Sequence, residues 1–391
     1  MMFYKLFLIS IILFLANTSI PNFEINIKIL PFADYVAALN YPVETHKITT
    51  EDGYILTFFR IQAKNQTQIK TGLPVIYLQH GLMDSADAWV VNDEENAPGL
   101  RLANQGYDVW LGNVRGNKYS REHVNLSRRD LEFWQFTFQN MSRYDLPASF
   151  EYIHNFTGGE MINYVGHSQG TLIMFAALCE QNPTILKYIR KYVAISPVVF
   201  VQNIKSGPIL ISARTPILKI LQDLGQKQFM PAHWATSKFS SIYCKYFVGM
   251  CADFLGKFFG SDPENDNYAR YDIIMAHEPG GTSILNMLHL TQFVSTGKFN
   301  KYDFGTKGNL LHYNQTTPPD YDLSNVKIPV HLFVGSEDAV VDQQDVQTLL
   351  NALAENPGVN YKLYKSDHVT FLWGKDISFY FNDLLSALQE N

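Results

Sequence analysis

Cysteine is scarce in this chain: three residues, Cys179, Cys244 and Cys251, in a length of 391. That excludes a disulfide-stapled scaffold, so burial of apolar surface has to hold the fold. Runs of like charge are also missing. The net charge of −6 is spread along the sequence without a basic patch, which argues against a nucleic-acid partner. The apolar run Leu6–Ala16 falls short of the roughly 20 residues that a membrane-spanning helix needs. No His/Cys cluster has metal-ligand spacing and no glycine-rich loop has the dinucleotide pattern, so no cofactor is expected. What is present is a composition 46% hydrophobic and 17% charged. This suits one large globular domain, or a core carrying an inserted subdomain.

The first residues, Met1 to Lys5, place a single Lys before Leu6–Ala16, with small residues at Ala16, Thr18 and Ser19. This is the pattern of a secretory signal peptide over residues 1–20; a membrane anchor retained at the N-terminus is the alternative. Mature residues 21 onward carry Asn-x-Ser/Thr triplets at Asn65, Asn125, Asn140, Asn155 and Asn314, candidate glycosylation sites for a protein of the secretory pathway, extracellular or lysosomal. In such a compartment Cys244 and Cys251 could pair. Cys179 falls in an apolar stretch and reads as a small buried hydrophobe.

Strand patterns alternate with helical ones through the first half of the chain. Tyr54–Ile61 follows an Asp52-Gly53 turn, and Pro74–Gln79 is a near-continuous apolar strand ending in His80-Gly81-Leu82. A short helix over 99–105 precedes a strand over 106–111; a helix is expected over 144–156, and strands over 161–165 and 191–197. Such alternation predicts a mostly parallel sheet covered by helices. At its centre, Ile162–Val165 runs into Gly166-His167-Ser168-Gln169-Gly170, followed by the helical Leu172–Leu178. Gly-x-Ser-x-Gly between a strand and a helix is a nucleophile elbow. The turn is so tight that side chains at its two glycine positions would collide with neighbouring backbone, and it lifts the serine hydroxyl to a helix N-terminus.

The alternation stops between about Val199 and Leu323. Phe229, Trp234, Phe239, Tyr243, Phe254, Phe258 and Phe259 make this stretch rich in aromatics. It is too long for a loop in a compact domain. The reading is an inserted, largely helical cap over 199–323 between two core parts, 21–198 and 324–391; a separately folded second domain is the alternative. Residues of this insertion are expected to line the approach to Ser168. The sheet pattern resumes at Ile328–Val334, followed by Asp338, a helix over 343–353, the strand Val359–Tyr364, His368, and a last helix over 376–388.

Ser168, Asp338 and His368 thus occur in the order Ser, acid, His, each just past a different strand. That order and placement fit the triad of the α/β-hydrolase fold. His368 would take the serine proton and Asp338 would orient the imidazole. The backbone N–H groups of Leu82 and Gln169 would hold the oxyanion. Asp342 and Asp345 lie near Asp338 but after the strand-end turn; Asp367 points away from its neighbour in an extended chain. His80, His167 and His331 read as structural.

Further segments carry a resemblance to a known family: Gln79-His80-Gly81-Leu82, the run Gly106–Asn113, Arg115-Gly116-Asn117, Tyr119-Ser120-Arg121, Tyr144–Ala148, Gly166–Thr171, His312–Thr316 and His368–Gly374. Across nearly the whole mature chain the sequence resembles the acid lipase family of gastric and lysosomal enzymes. The resemblance implies hydrolysis of neutral lipid esters, triacylglycerols or sterol esters, at a lipid–water interface, a cap shielding the site, and Ser168, Asp338 and His368 as the triad. Val114 stands where the family usually has Ser, and Thr370 where an acid is common. The family's cap disulfide uses cysteines spaced somewhat differently from Cys244 and Cys251. An esterase or acyltransferase for specialised esters, or a non-catalytic lipid-binding protein on the same fold, are the competing readings.

Overall fold

The computed structural model describes residues 29–390 apart from Asn65, Thr67 and His233. The signal-peptide segment 1–20 and, of the Asn65 triplet, Asn65 and Thr67 lie outside the described residues.

The core is a nine-stranded sheet. Its strands are β1 (Val43–Thr49), β2 (Tyr54–Ile61), β3 (Val75–Gln79), β4 (Asp108–Leu111), β5 (Glu122–His123), β6 (Ile162–His167), β7 (Ile189–Ile195), β10 (Val330–Gly335) and β11 (Val359–Tyr364), in spatial order β1-β2-β4-β3-β6-β7-β10-β11 with β5 on β2. From β4 to β11 every pairing is parallel; β1, β2 and β5 add an antiparallel edge. The central strands are buried throughout, as their unbroken apolar runs require.

Alternation along each strand splits the core into two halves. Tyr77, Tyr164 and Tyr192 point into one half, with Leu172 and Phe175 of the helix after Ser168 and Phe150 and Ile153 of an earlier one. Ile76, Val165 and Val193 point into the other, with Leu100, Leu102, Tyr380 and Leu384. The helices concerned are α1 (Pro98–Asn104), α2 (Leu146–Phe156), α3 (Gln169–Cys179) and, at the C-terminus, Ser378–Gln389. Every residue of α3 is buried; an apolar sequence without a polar face suits only that location.

Three differences from the sequence reading have local causes. The strand expected over 106–111 begins at Asp108, because Gly106 adopts φ 90° in the turn before it. The helix expected from Tyr144 is preceded by a wider π-type turn over Met141–Asp145, so α2 proper begins at Leu146. β1 was not anticipated; Val43–Thr49 is only partly buried, and its register is set by seven pairings with β2.

The segment 199–323 folds mainly as helices: α4 (Gly207–Arg214), α5 (Ile217–Asp223), α6 (Trp234–Tyr246), α7 (Val248–Phe259), α8 (Tyr271–His277), α9 (Ile284–Thr296) and α10 (Gly305–Tyr313). A two-residue ribbon, β8 (Gln228–Phe229) with β9 (Thr282–Ser283), ties its two halves together. Cys244 and Cys251 form a disulfide between α6 and α7, and Cys179 is a buried free thiol in α3.

Candidate active site

Ser168 sits between β6 and α3 with φ 52° and ψ −119°, a conformation that a non-glycine residue holds only under constraint. The constraint is close packing on both sides. A Cβ on Gly166 would lie 2.8 Å from the Gly170 carbonyl carbon, and one on Gly170 would lie 2.5 Å from the Gln79 carbonyl oxygen. Ser168 N–H donates to the Ile195 carbonyl at 3.0 Å, and the Ser168 carbonyl accepts from Thr171 N–H and Oγ1 at 2.9 and 2.6 Å. The hydroxyl is therefore presented in one place.

His368 Nε2 lies 2.9 Å from Ser168 Oγ, and His368 Nδ1 lies 2.8 Å from Asp338 Oδ2. The other oxygen of Asp338 accepts from Val340 N–H at 2.7 Å and Val341 N–H at 2.9 Å, so the carboxylate is fixed in orientation. With Nδ1–H donating to Asp338, Nε2 is left as the acceptor facing the serine. All three residues are buried. The structure thus brings together the three residues expected to form the triad, from the ends of β6, β10 and β11.

The rival acids do other things. Asp342 caps the helix that follows it through Gln344 N–H, and Asp345 holds Asn203. Asp367 accepts from Val369 N–H, Thr370 N–H and Thr370 Oγ1, at 2.9, 2.7 and 2.6 Å. Burial and the neighbouring Asp266 push its pKa up to about 7.

The loop after β3 brings Leu82 to the same place. His80 pins that loop: Nδ1 bonds the Gly81 carbonyl at 2.8 Å, and Nε2 accepts from Val114 N–H at 3.3 Å and Asn117 Nδ2 at 3.2 Å. Burial pushes its pKa down to about 4, so it stays neutral in this role. Leu82 and Gln169 both border the cavity above Ser168. The Gln169 side chain is anchored by Asn286 Nδ2, 2.7 Å from its Oε1.

Two features were not legible in the sequence. The carbonyl of Phe259, at the end of α7, accepts from both Ala339 N–H and His368 N–H at 3.2 Å, and Gly260 bridges to Asp338. The insertion therefore straps the acid loop to the histidine loop, and the Phe259 ring stacks parallel to the His368 ring at 6.0 Å. Second, His167 Nε2 donates to the His368 carbonyl at 2.8 Å, which makes Nδ1 an acceptor; burial pushes this imidazole down to about 3. The only sequence signal for either is adjacency to Ser168 in the second case.

Two cavities meet over Ser168. The larger runs between Val198, Val201, Ile209, Phe229, Met287 and Leu290. The smaller lies beside His167, Phe254, Met275, Glu278 and Trp373. Residues of the segment 199–323 line both, and Leu82, Met83, Met230, Phe258 and Phe259 separate them.

Residues 74–375 match the model of the alpha/beta hydrolase fold, and residues 32–93 match that of a partial alpha/beta-hydrolase lipase region. Rat gastric triacylglycerol lipase is 39% identical over 375 residues, which is 95% of this chain and 93% of the relative. The chain belongs to the acid lipase family. Human lipase member K is 38% identical, over 96% of this chain and 93% of its own length. Rat lysosomal acid lipase/cholesteryl ester hydrolase is 39% identical, over 88% of each chain. Among solved structures, a soluble variant of the Saccharomyces cerevisiae monoglyceride lipase superposes with a TM-score of 0.53 at 15% identity, covering 88% of this chain and 96% of that one, which speaks to the fold alone.

In this acid lipase family member, Val114 is buried and gives its N–H to His80, and Thr370 closes on Asp367. Of the described glycosylation candidates, Asn125, Asn155 and Asn314 are exposed. Asn140 is half-buried, its side chain accepts from Thr137 N–H in a capping box, and Ser142 of its triplet is buried. Among the described residues, no helix is long and apolar enough to cross a membrane.

Proposed function

We propose that this chain is a carboxylic ester hydrolase of neutral lipids working through an acyl-enzyme. The observation that carries the reading is the unbroken contact Ser168–His368–Asp338 at the junction of two apolar cavities. His368 Nε2 accepts the Ser168 proton as Oγ attacks the ester carbonyl carbon. The carbonyl π pair moves onto oxygen, where the Leu82 and Gln169 N–H groups meet it; one such donor is worth ~10²–10³ in rate. Asp338 stabilises the imidazolium, which protonates the departing alcohol as the carbon–oxygen bond breaks. Water then repeats the sequence on the acyl-serine and releases the acid.

Substrate class follows from the relatives' names and from the cavity walls. The names of rat gastric triacylglycerol lipase and rat lysosomal acid lipase/cholesteryl ester hydrolase give triacylglycerols and cholesteryl esters as their substrates, and the larger cavity here is walled by aliphatic and aromatic side chains. The segment 199–323 acts as a cap that opens at a lipid–water interface; exposed Ile211, Ile220, Leu224, Phe247 and Met250 supply an apolar outer surface for that encounter. Secretion to the extracellular space or lysosome is in keeping with the relatives and with Leu6–Ala16. The test is Ser168→Ala, which should fold and lose activity by several orders of magnitude together with labelling by a fluorophosphonate probe. Retained turnover in a clean preparation refutes the reading.

A further inference from the structure

The two N–H groups that would meet the oxyanion come from separate places, Leu82 in the loop after β3 and Gln169 at the start of α3. Their spacing depends on whatever touches both. Residues 280–286, which run from the turn before β9 into the first turn of α9, do so, and all of them are buried. At one end, Gly280 N–H and Gly281 N–H both donate to the Met83 carbonyl, at 2.5 and 3.3 Å. Met83 follows Leu82 and has φ 59°, a conformation that a non-glycine residue holds only when its surroundings impose it. The approach is backbone against backbone: a Cβ on Gly280 would lie 2.4 Å from the Asp84 carbonyl oxygen. The other side of the same loop lies on the nucleophile, since a Cβ on Gly81 would lie 3.1 Å from Ser168 Cβ. Residues 81–84 are thus held between Ser168 and the two glycines.

At the other end, Asn286 Nδ2 donates to Gln169 Oε1 at 2.7 Å and to Thr282 Oγ1 at 3.2 Å, and Asn286 Oδ1 accepts from Phe138 N–H at 2.7 Å. Ser283 Oγ accepts from Asn286 N–H at 2.9 Å and donates to the Phe136 carbonyl at 2.7 Å, which seats the start of α9 on the core. The Gln169 amide nitrogen meets the Met141 sulfur at 3.7 Å, a weak acceptor, so the bond from Asn286 is the stronger tie on this side chain. Gln169 opens α3, where backbone N–H groups have no partner within the helix. Anchoring its side chain limits fraying of that first turn.

We propose that residues 280–286 are the positioning element of the oxyanion hole: Gly280 and Gly281 set the Leu82 side through Met83, and Asn286 sets the Gln169 side. None of the three touches a reacting atom. This rests on the ester-hydrolase reading, with Leu82 and Gln169 as its oxyanion donors, and deepens it.

The experiment uses the whole mature protein and one variant at each end, Gly280→Ala and Asn286→Leu. The φ of Gly280 lies outside the left-handed region, so alanine there acts through the Asp84 contact. Hydrolysis of p-nitrophenyl butyrate is counted per site labelled to completion by a fluorophosphonate. Inhibition by octylboronic acid is measured beside it; the boron bonds Ser168 Oγ and becomes tetrahedral, with an oxygen where the oxyanion forms. A misplaced donor weakens the transition state and this adduct but not the bound ester. Each variant should lose kcat and kcat/KM together by about 10- to 100-fold, with KM within about twofold, and the boronic acid Ki should rise by a similar factor. Gln169→Met removes the acceptor for Asn286, and adding it to Asn286→Leu should cost little more than Asn286→Leu alone. If one variant fails to fold, the variant at the other end carries the test. A folded variant with fewer labelled sites but unchanged turnover and Ki per site, or with a raised KM alone, makes these contacts structural and overturns the positioning role. Losses that multiply between Gln169→Met and Asn286→Leu overturn it at the Gln169 end. A wild type that is neither labelled nor active on the ester overturns the ester-hydrolase reading and the positioning role with it.

Discussion

Gly260→Ala tests whether the insertion completes the catalytic geometry. Gly260 has φ 95° and ψ −176°, a region open essentially to glycine alone, so any side chain costs ~1–3 kcal/mol in backbone strain. The added Cβ would also fall 2.1 Å from the Glu337 carbonyl oxygen, 3.1 Å from Ala339 N and 3.2 Å from Asp367 Cβ. Ordinary contact needs more than an additional ångström at the first of these, and Glu337 immediately precedes Asp338. Relief therefore pulls Phe259 away from Ala339 and His368, weakening two hydrogen bonds worth ~0.5–1.5 kcal/mol each. The sum is ~2–6 kcal/mol of lost stability, and a displacement of about 1 Å in Asp338 or His368 costs ~10²-fold in turnover. Gly225→Ala is the matched control: its φ is 83°, but nothing lies within 4 Å of the new Cβ. It should cost ~1–2 kcal/mol through conformation alone and leave turnover intact. The measurements are urea midpoints and kcat on a soluble ester. Full activity in folded Gly260→Ala, or an equal loss in Gly225→Ala, refutes the strap.

Asp367→Asn should change how stability depends on pH. The folded pKa of Asp367, about 7, lies above its unfolded value, so its contribution is fully present below about pH 4 and is lost as pH rises through 7. The variant lacks that slope and should gain on wild type between pH 4 and 7; parallel denaturation curves across this range would refute the assignment. Glycan mapping of secreted protein should find Asn125, Asn155 and Asn314 occupied and Asn140 bare, because Asn140 is half-buried and Ser142 of its triplet is fully buried. Occupancy at Asn140 refutes that reasoning.

What could be read from the sequence were the residues that punctuate strands. Ser168 and Asp338 each follow an apolar run that had to be a buried strand, and His368 follows the alternating, largely exposed edge strand Val359–Tyr364, so chain order placed them at one end of a parallel sheet. β1 escaped notice because Glu44 and Lys47 interrupt its apolar pattern, and only pairing with β2 makes it a strand. The helices of the segment 199–323 were legible as a class but not singly. α4 buries none of its residues completely, since Pro208, Ile209 and Ser212 face a cavity instead of a core, and the usual one-sided stripe is blurred. The carboxyl pairs Asp84–Glu278 and Asp266–Asp367 join residues remote in sequence, and no local pattern marks them. The Phe259 strap acts through a backbone carbonyl, which any residue type could supply.

The distribution of the three thiols bears on how the chain matures. Three cysteines allow three single crosslinks, of which one is native. Cys244 and Cys251 are seven residues apart, whereas Cys179 precedes the nearer of them by 65 (244 − 179). For a flexible chain, closure of the shorter loop is favoured by about thirtyfold from the length dependence alone. Once α3 packs beneath the sheet, burial holds the Cys179 thiol protonated and out of reach of an oxidant or a partner thiol. Oxidative maturation thus has a kinetic bias towards the correct bond and a structural lock against exchange afterwards. Shuffled isomers should be rare in material made under oxidising conditions, with or without a disulfide isomerase.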